Sequence, residues 1–218
     1  MTATVVVKGA VDGGLKRYVA SGAMGSGTQS EGQKPVFELA DGASLSNVII
    51  GTPAADGVHC LGACTLTNVW WEDVGEDAAT FLGTSANHVM TVLGGGARLA
   101  SDKVFQHNGA GTVVIRGFRV ESFGKLYRSC GNCRAMYPRH VVIQDVTAQA
   151  PGKTLVGINS NYGDTADLSG ITVLGDPKHT ISICDRYTGN STGAEPVKTG
   201  SGADGTYCRY DPAAVHYG

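Results

Sequence analysis

The sequence has few charged residues, no surplus of basic ones and no long apolar run. Its 218 residues include 17 Lys and Arg against 19 Asp and Glu, which gives a formal net charge of −2. A chain so close to neutrality has no broad basic face, so we expect no nucleic-acid partner. No apolar stretch approaches the roughly 20 residues that a membrane-spanning helix needs, so we expect no membrane partner either.

The composition favours β structure. Glycine is abundant, at 32 residues, and charged residues make up only 17% of the chain. The apolar runs are short and rich in Val, Ile and Thr, which suits pleated strands separated by tight turns. The length allows one domain with a sizeable core and is too short to favour two, so we treat residues 1–218 as a single domain and a monomer.

The six cysteines fall into nearby pairs, namely Cys60/Cys64, Cys130/Cys133 and Cys184/Cys208. An even number of paired cysteines is typical of disulfides in an exported protein, so we expect a secreted, extracellular location. Met1 is followed directly by a strand-like segment, and we expect a signal peptide to have been removed. A zinc site around Cys130-Gly-Asn-Cys133 is an alternative, although it needs a second pair and leaves two cysteines over. Free thiols are the third possibility.

A weak internal repeat organises the chain. Each copy is six residues long and begins with an apolar residue and a polar residue. Asn, Asp or Gly follows, and then come an apolar, a variable and a second apolar residue. The copies are LSNVII from Leu45, LTNVWW from Leu66, IRGFRV from Ile115, IQDVTA from Ile143 and LSGITV from Leu168. They begin roughly 20 to 30 residues apart, with one gap of about twice that length, and one strand per period is typical of a solenoid.

A parallel β-helix explains this repeat best. Strands of successive coils stack, and Val48, Ile50, Val69 and Val146 should point inward. The glycine-rich segments 22–32 and 189–205 should form loops or caps. Leucine-rich repeats share the period, but their helices and leucine ladder are missing. A β-sandwich remains the alternative, although its strands recur every 8–12 residues.

Three acidic residues lie about one coil apart. Asp56 precedes the coil of Leu66, and Glu76-Asp77 follows it. A solenoid would stack these carboxylates on one face, where like charges repel unless a cation lies between them. Loosely arranged oxygen ligands favour calcium. Asp73 and Asp102 are weaker candidates for further ligands, and three solvated loop acids are the alternative.

Three basic residues follow the same spacing. Lys103 and Lys125 are separated by about one coil, and Arg128 lies beside Lys125. Cations next to a cluster of acids suit a polyanionic substrate, because Arg binds carboxylates in bidentate fashion and Lys can act as a base when its pKa is depressed. Ordinary solvated side chains are the alternative for each residue taken singly.

At these segments the sequence resembles a known family. The stretches VFELADGASLSNVIIG, ADGVHCLGACTLTNVWWEDVGEDAATF, GGGARLASDKVFQHNGAGTVVIRGF, FGKLYRSCGNC and LVGINSNYGDTADLSGI are similar to polysaccharide lyase family 3, the small pectate lyases of bacteria and fungi. The resemblance runs from about Val36 to Ile171. It implies an all-β, single-stranded right-handed parallel β-helix, extracellular action, and calcium-dependent eliminative cleavage of polygalacturonate (pectin).

The resemblance also assigns roles. Asp56, Glu76 and Asp77 match the calcium ligands of the family, and Lys103 matches the proposed catalytic base. Lys125 and Arg128 match residues that bind substrate and assist catalysis, and Glu31 resembles an acidic residue at the substrate groove. Many relatives carry Cys where this chain has Gly75, which leaves the pattern of disulfides open.

These roles imply a β-elimination that removes the C5 proton of a galacturonate and expels the oxygen at C4. A lysine base predicts an alkaline optimum, since calcium and neighbouring cations should lower its pKa. A glycoside hydrolase would instead use the acids as general acid and base. A calcium-stabilised carbohydrate-binding module is the non-enzymatic alternative.

Overall fold

A computed structural model describes residues 1–218, and almost every regular element in it is a β-strand. Two single-turn 3₁₀ helices, at Ser160–Tyr162 and Pro212–Ala214, are the exceptions. None of the helices has the length and apolar composition needed to cross a membrane. The strands are β1 (Val5–Val7), β2 (Ala10–Tyr18), β3 (Phe37–Leu39), β4 (Ala43–Ile50), β5 (Val58–Cys60), β6 (Cys64–Trp71), β7 (Ala79–Phe81), β8 (Val89–Leu93), β9 (Gly96–His107), β10 (Gly111–Arg116), β11 (Arg119–Ser129), β12 (Arg139–Asn159), β13 (Thr165–Leu174), β14 (Ser182–Thr188), β15 (Val197–Ser201), β16 (Cys208–Arg209) and β17 (His216–Tyr217).

The strands stack in parallel along three ladders. The first ladder joins the early parts of β4 and β6 to β8, β10 and the starts of β12 and β13. The second joins the ends of β4 and β6 to the starts of β9 and β11 and the middle of β12. The third joins β1, β3, β5 and β7 to the ends of β9, β11 and β12, and then to β14. This parallel β-helix confirms the predicted fold class.

The Asn, Asp or Gly of each repeat turns the chain from the first ladder to the second. All five have left-handed backbone, with φ between 52° and 63°: Asn47, Asn68, Gly117, Asp145 and Gly170. Glycine adopts this conformation without strain, and Asn and Asp tolerate it better than other side chains. The residue after the bend returns to the interior, which is why the repeat has the same polarity in every coil.

The core runs inside the coils as one cluster of 50 buried residues. The four residues predicted to point inward, Val48, Ile50, Val69 and Val146, are at most 1% exposed. Aromatic rings from neighbouring coils also pack there, and the ring centroids of Phe105 and Phe118 are 5.1 Å apart. Each coil therefore buries its apolar face against the next one.

The ends of the chain depart from the simple repeat. Residues 22–32 contain no strand, as predicted, but the C-terminal glycine-rich segment contains β15, which pairs antiparallel with β14. All six cysteines form disulfides, as predicted, and the pairs, which the sequence left open, are Cys60–Cys64, Cys130–Cys133 and Cys184–Cys208. The first two close loops within one coil, and the third joins β14 to β16.

Candidate active site

The three predicted acids meet where two turns stack. Asp56 lies in the turn before β5, and Glu76 and Asp77 lie in the turn before β7. β5 and β7 are neighbours in the third ladder, with Val58 paired to Ala79, so the two turns lie one above the other. One carboxylate oxygen from each acid lies within 4.8 Å of the others, and all three residues are buried.

Gly75 brings the two turns into contact. The carbonyl of Ala55 accepts a hydrogen bond of 2.9 Å from the N–H of Glu76. A Cβ atom at position 75 would lie 2.1 Å from that same carbonyl oxygen, so this backbone leaves no room for a side chain. The glycine at this position leaves no cysteine of the chain unpaired, because all six form disulfides.

The clustered acids hold their protons unusually strongly. Burial, followed by the charges of Asp56, Asp77 and Glu31, raises the pKa of Glu76 to about 8. Burial also raises the pKa of Asp77 to about 7, although Lys103 opposes the rise. Both shifts arise because ionised carboxylates lose solvation and repel one another in this cleft.

Two oxygen atoms of the cluster lack a hydrogen-bond partner. Asp56 binds His59 through Oδ2, at 2.7 Å from Nε2, while its Oδ1 is buried without a partner. Asp77 Oδ1 is likewise buried without a hydrogen bond, and Lys103 Nζ lies 3.5 Å away. Unpartnered buried carboxylate oxygens with raised pKa values are the donor set that a hard cation such as calcium takes. The residues present therefore fit a calcium ion.

Lys103 and Lys125 lie side by side next to the acids. The two residues pair across β9 and β11, and the carboxylate of Asp102 bridges them. Asp102 accepts hydrogen bonds of 2.8 Å from Lys103 Nζ and 2.9 Å from Lys125 Nζ. Asp102 is therefore occupied by the lysines, and Asp73 lies in a separate groove beside Ser101.

These contacts fix the charge of the bridged groups. Burial raises the pKa of Asp102, but the hydrogen bonds from the two lysines outweigh it and leave the pKa below its usual value. Burial lowers the pKa of Lys103, but the charges of Asp77, Asp102 and Glu76 outweigh it and leave the pKa above its usual value. With the acids ionised and no cation between them, Lys103 is an ammonium.

Arg128 lies on β11, three residues after Lys125, and is buried. Its backbone pairs with Gln106, and Gln106 pairs with Thr80, so Arg128 is two coils beyond the acid turn in the third ladder. Its guanidinium carbon lies 4.2 Å from the ring centroid of Tyr187, and Nη1 donates to Asn159 Oδ1 at 3.2 Å. Burial lowers the pKa of Arg128, and Nη2 has no hydrogen-bond partner.

Glu31 belongs to the acidic side of the cleft. It lines the same cleft as the three acids, and its charge contributes to the raised pKa of Glu76. Lys103 also lines this cleft, whereas Lys125 and Arg128 lie on the next coil. The other residues that line it are Gly32, His59, Thr80, Leu82, Gln106 and Asn108.

Sequence reasoning missed the two residues that hold Arg128. Asn159 on β12 is one coil beyond Arg128, and it pairs with Tyr187 on β14, which is two coils beyond. Asn159 also donates to Ser129 Oγ at 3.1 Å, within a network that includes Asp164. No local motif marks either residue, because their proximity to Arg128 depends on the register of three strands.

Comparison with known proteins gives consistent matches. The family model described as pectate lyase matches residues 1–194. A probable pectate lyase E of Aspergillus clavatus is 48% identical over 218 residues, covering 97% of this chain and 80% of that protein. A probable pectate lyase E of Neosartorya fischeri is 50% identical over 206 residues, covering 94% and 78%.

Solved structures agree with these relatives. The catalytic domain of pectate lyase PelI from Erwinia chrysanthemi superposes with a TM-score of 0.83 at 33% identity, covering 98% of this chain and 96% of that domain. PelI in complex with tetragalacturonic acid gives a TM-score of 0.82 at 33% identity, covering 99% of this chain and 69% of that one. The fold and these relatives define a polysaccharide lyase. The chain belongs to the pectate lyase family.

Proposed function

We propose that this pectate lyase cleaves polygalacturonate by calcium-dependent β-elimination, with Lys103 as the base. One observation carries the proposal: Lys103 Nζ lies 3.5 Å from a carboxylate oxygen of the buried acid trio. The group that would take the proton and the groups that would hold a cation therefore share one cleft. The complex of the related PelI with tetragalacturonic acid supports the choice of an oligogalacturonate as substrate.

Asp56, Glu76 and Asp77 would hold the calcium ion. Their unpartnered oxygens and raised pKa values favour this role over that of a simple surface cluster. When bound, calcium would supply a Lewis acid that neutralises the acids and attracts the carboxylates of the substrate. The acids themselves would then be ionised, with no protons left on them at neutral pH. Glu31 would add negative charge at the mouth of the cleft.

Lys103 would act as the general base. A lysine must be neutral to accept a proton, and an ordinary lysine is almost wholly protonated at neutral pH. The acids around Lys103 keep it protonated, so its pKa falls only when their charge is neutralised. Burial disfavours the ammonium form, so it then lowers the pKa of Lys103 and favours the neutral amine that catalysis needs. An alkaline optimum is expected from this arrangement.

Arg128 and Lys125 would bind the carboxylate next to the reacting carbon. As the C5 proton leaves, negative charge develops toward the C6 carboxylate of the galacturonate, and a guanidinium stabilises that charge. The guanidinium keeps an unused donor for such a contact, since Nη2 of Arg128 is buried without a hydrogen-bond partner. Lys125 is held by Asp102 and would provide a second positive charge beside it.

The elimination balances without an oxidant or a water molecule. Lys103 takes the C5 proton, the electron pair of the broken C–H bond forms the C4–C5 double bond, and the glycosidic oxygen leaves C4. The lysine ammonium then gives up its proton to that oxygen, directly or through solvent, which restores the free amine for the next cycle. The products are a new reducing-end chain and a 4,5-unsaturated oligogalacturonide.

Three further properties belong to the same proposal. Extracellular action is supported by the three disulfides, which persist in oxidising surroundings. We propose a single domain, because one core cluster runs through the coils, and we propose that it works as a monomer. Polygalacturonate or pectin is then the only macromolecular partner that the function requires.

The decisive experiment follows the ultraviolet absorbance of the unsaturated product on polygalacturonate, first with excess chelator and then with calcium restored. We expect no product in chelator and full recovery with calcium. Reducing ends that appear without the ultraviolet signal would indicate hydrolysis instead. Full lyase activity in excess chelator would contradict the role of the metal.

A further inference from the structure

A second cleft lies around the corner of the coil from the acidic one. It opens on the outer face of the second ladder and shares no residue with the acidic cleft. The segment 72–77 connects the two clefts, because Glu72 lines this one and Glu76 and Asp77 line the acidic one. Its central lining residues are Leu15, Ile49, Trp70, Glu72, Arg98 and Arg119. We call this set the Trp70 platform.

The platform is built on one column of paired residues. Arg17, Ile49, Trp70, Gly96 and Arg119 pair in succession across β2, β4, β6, β9 and β11. Neighbouring strands lie roughly 4.8 Å apart, so the column extends about 19 Å along the axis of the helix. It places an aromatic ring between two guanidinium groups on a long, flat surface.

The indole ring of Trp70 is partly exposed to solvent. The residue is 40% exposed, whereas its neighbour Trp71 is buried at 1%. The ring lies over Gly96, where a Cβ atom would approach it to 2.9 Å. The absence of a side chain at position 96 therefore lets the indole lie against the sheet while the residue stays 40% exposed.

Hydrogen bonds fix the orientation of this ring. Trp70 Nε1 donates to Asn68 Oδ1 at 2.7 Å, and Asn68 Nδ2 donates to Asn47 Oδ1 at 2.8 Å. Asn47 Nδ2 in turn donates to Asp12 Oδ1 at 3.1 Å. The asparagines of the left-handed bends thus support the indole from coil to coil. A large exposed aromatic side chain held in one orientation is preorganised for a ligand rather than for the core.

The charges of the platform favour an anion. Arg17 forms two hydrogen bonds with the carboxylate of Glu72, at 2.8 and 2.7 Å, so these two charges neutralise each other. Arg98 uses Nε to donate to the backbone carbonyl of Glu72, which leaves its terminal nitrogens free. The backbone N–H of Arg119 donates to Gly95, but the side chains of Arg119 and Glu121 take part in no hydrogen bond or ion pair. Apart from the Arg17–Glu72 pair, the cleft therefore carries the guanidinium groups of Arg98 and Arg119 and one carboxylate, that of Glu121.

We propose that the Trp70 platform binds a second stretch of the acidic polysaccharide. The apolar C–H face of a pyranose ring would stack on the indole, whose face carries partial negative charge. Uronate carboxylates along the same chain would pair with Arg98 and Arg119. The choice of polygalacturonate as ligand rests on the proposed substrate. The platform would hold the enzyme on its polymer while the acidic cleft cleaves.

Tryptophan fluorescence reports directly on this site, because Trp70 and Trp71 are the only two tryptophans. The Lys103→Ala protein is titrated with tetragalacturonate, and a neutral galactose tetramer serves as the control ligand. We expect a saturable shift of the emission to shorter wavelength with the acidic oligomer, and none with the neutral one. The Trp70→Phe protein should lose this shift. An unchanged emission spectrum at saturating tetragalacturonate would overturn the proposal.

Turnover in the titrated sample is checked by the ultraviolet absorbance of the product. If Lys103→Ala still released product, the assignment of the base would fail. The titration would then be repeated with an oligomer that the enzyme no longer shortens. The emission shift and its loss in Trp70→Phe would be judged by the same criteria as before. A failure of the base assignment is therefore distinguishable from a failure of the platform proposal.

Binding to the polymer gives an independent test by electrophoresis through gels that contain polygalacturonate. We expect Trp70→Ala and Arg119→Ala each to weaken retention about fivefold in the Lys103→Ala background, which corresponds to about 1 kcal/mol. Tyr217→Ala is the matched control, since Tyr217 is 38% exposed on the same ladder but stacks on His179. Equal retention of all three variants would place polymer binding in the acidic cleft alone.

Discussion

The guanidinium of Arg128 lies over the ring of Tyr187, with 4.2 Å between the guanidinium carbon and the ring centroid. Arg128 and Tyr187 are on different coils, so the aromatic ring extends the support of the arginine beyond its own strand. Burial costs a guanidinium its solvation, and an aromatic face returns part of that loss. The relationship makes Tyr187 a positioning residue for the proposed substrate contact.

Replacing Tyr187 should therefore affect catalysis through Arg128. We expect Tyr187→Ala to lower kcat roughly 5- to 30-fold, from a cation–π contribution of about 1–2 kcal/mol. Tyr187→Phe keeps the ring and should stay within about twofold of the wild type. The measurement is the steady-state rate on polygalacturonate, with kcat and KM determined separately. A Phe variant as impaired as the Ala variant would assign the role to the hydroxyl instead.

The assignment of Lys103 as base predicts a separation of binding from turnover. Lys103→Ala should lose at least about 100-fold in kcat, the usual contribution of a general base. Binding of tetragalacturonate should remain measurable by calorimetry, because Arg128 is unaffected. Lys178→Ala, an exposed lysine remote from the cleft, controls for loss of a positive charge. Wild-type turnover in Lys103→Ala would refute the assignment.

Calcium binding should release protons. Glu76 and Asp77 have pKa values of about 8 and about 7, so part of the cluster is protonated at neutral pH and must ionise to bind the cation. Affinity should therefore rise as the pH increases through this range and then level off. Calorimetry in two buffers of different ionisation enthalpy would count the released protons. An affinity that does not change with pH would show that the acids are already ionised.

The metal-free protein should lose stability as the pH rises. Both acids have folded-state pKa values above their ordinary values of 4.5 and 3.8, so the folded state holds protons that the unfolded state has released. The stability that these protons provide is complete below pH about 4 and is lost as the pH rises through about 7 to 8. Thermal unfolding in chelator at several pH values measures this loss.

A neutral isostere provides the control for this effect. In Glu76→Gln, one of the repelling charges is absent, so the metal-free protein should keep more of its Tm at high pH than the wild type. The same variant should lose the increase in Tm that calcium produces. Parallel pH profiles for wild type and variant would show that Glu76 does not carry the destabilising charge.

The left-handed bends give a prediction about the fold alone. Asp145 has φ 54° and an exposed side chain, and other copies of the repeat have Gly at this position. Asp145→Gly should be neutral or nearly so, whereas Asp145→Val should cost about 1–2 kcal/mol because a branched side chain strains this conformation. Chemical denaturation measures both values. Equal stability of the two variants would mean that the bend relaxes.

Much of the fold could be predicted because it repeats. The Asn, Asp or Gly of each unit marks the bend in every copy, and the apolar positions that follow it fill the core. The spacing of one coil between Asp56 and Glu76 correctly indicated that the acids would stack. These features are local in sequence and are repeated by the geometry of the solenoid.

The support of the site could not be predicted in the same way. Tyr187 lies on a strand near the irregular C-terminal end, where β15 pairs antiparallel and the repeat is lost. The sequence offered Asp102 only as a weaker candidate ligand and did not reveal its bridge between two lysines, because the second lysine pairs across the coil. Contacts of this kind depend on the register between strands, which no single segment encodes.

The contact at Gly75 fixes the spacing of the two turns that carry the acid trio, and so the spacing of the proposed cation ligands. Because backbone touches backbone there, the pitch of the coil sets the separation of the two acidic turns, and the carboxylates have little freedom to move apart. The cost of bringing these acids together is therefore met when the protein folds, and the proposed ion would find its ligands already assembled. A bulkier residue at this position would separate the turns and weaken ion capture while leaving the remaining coils intact.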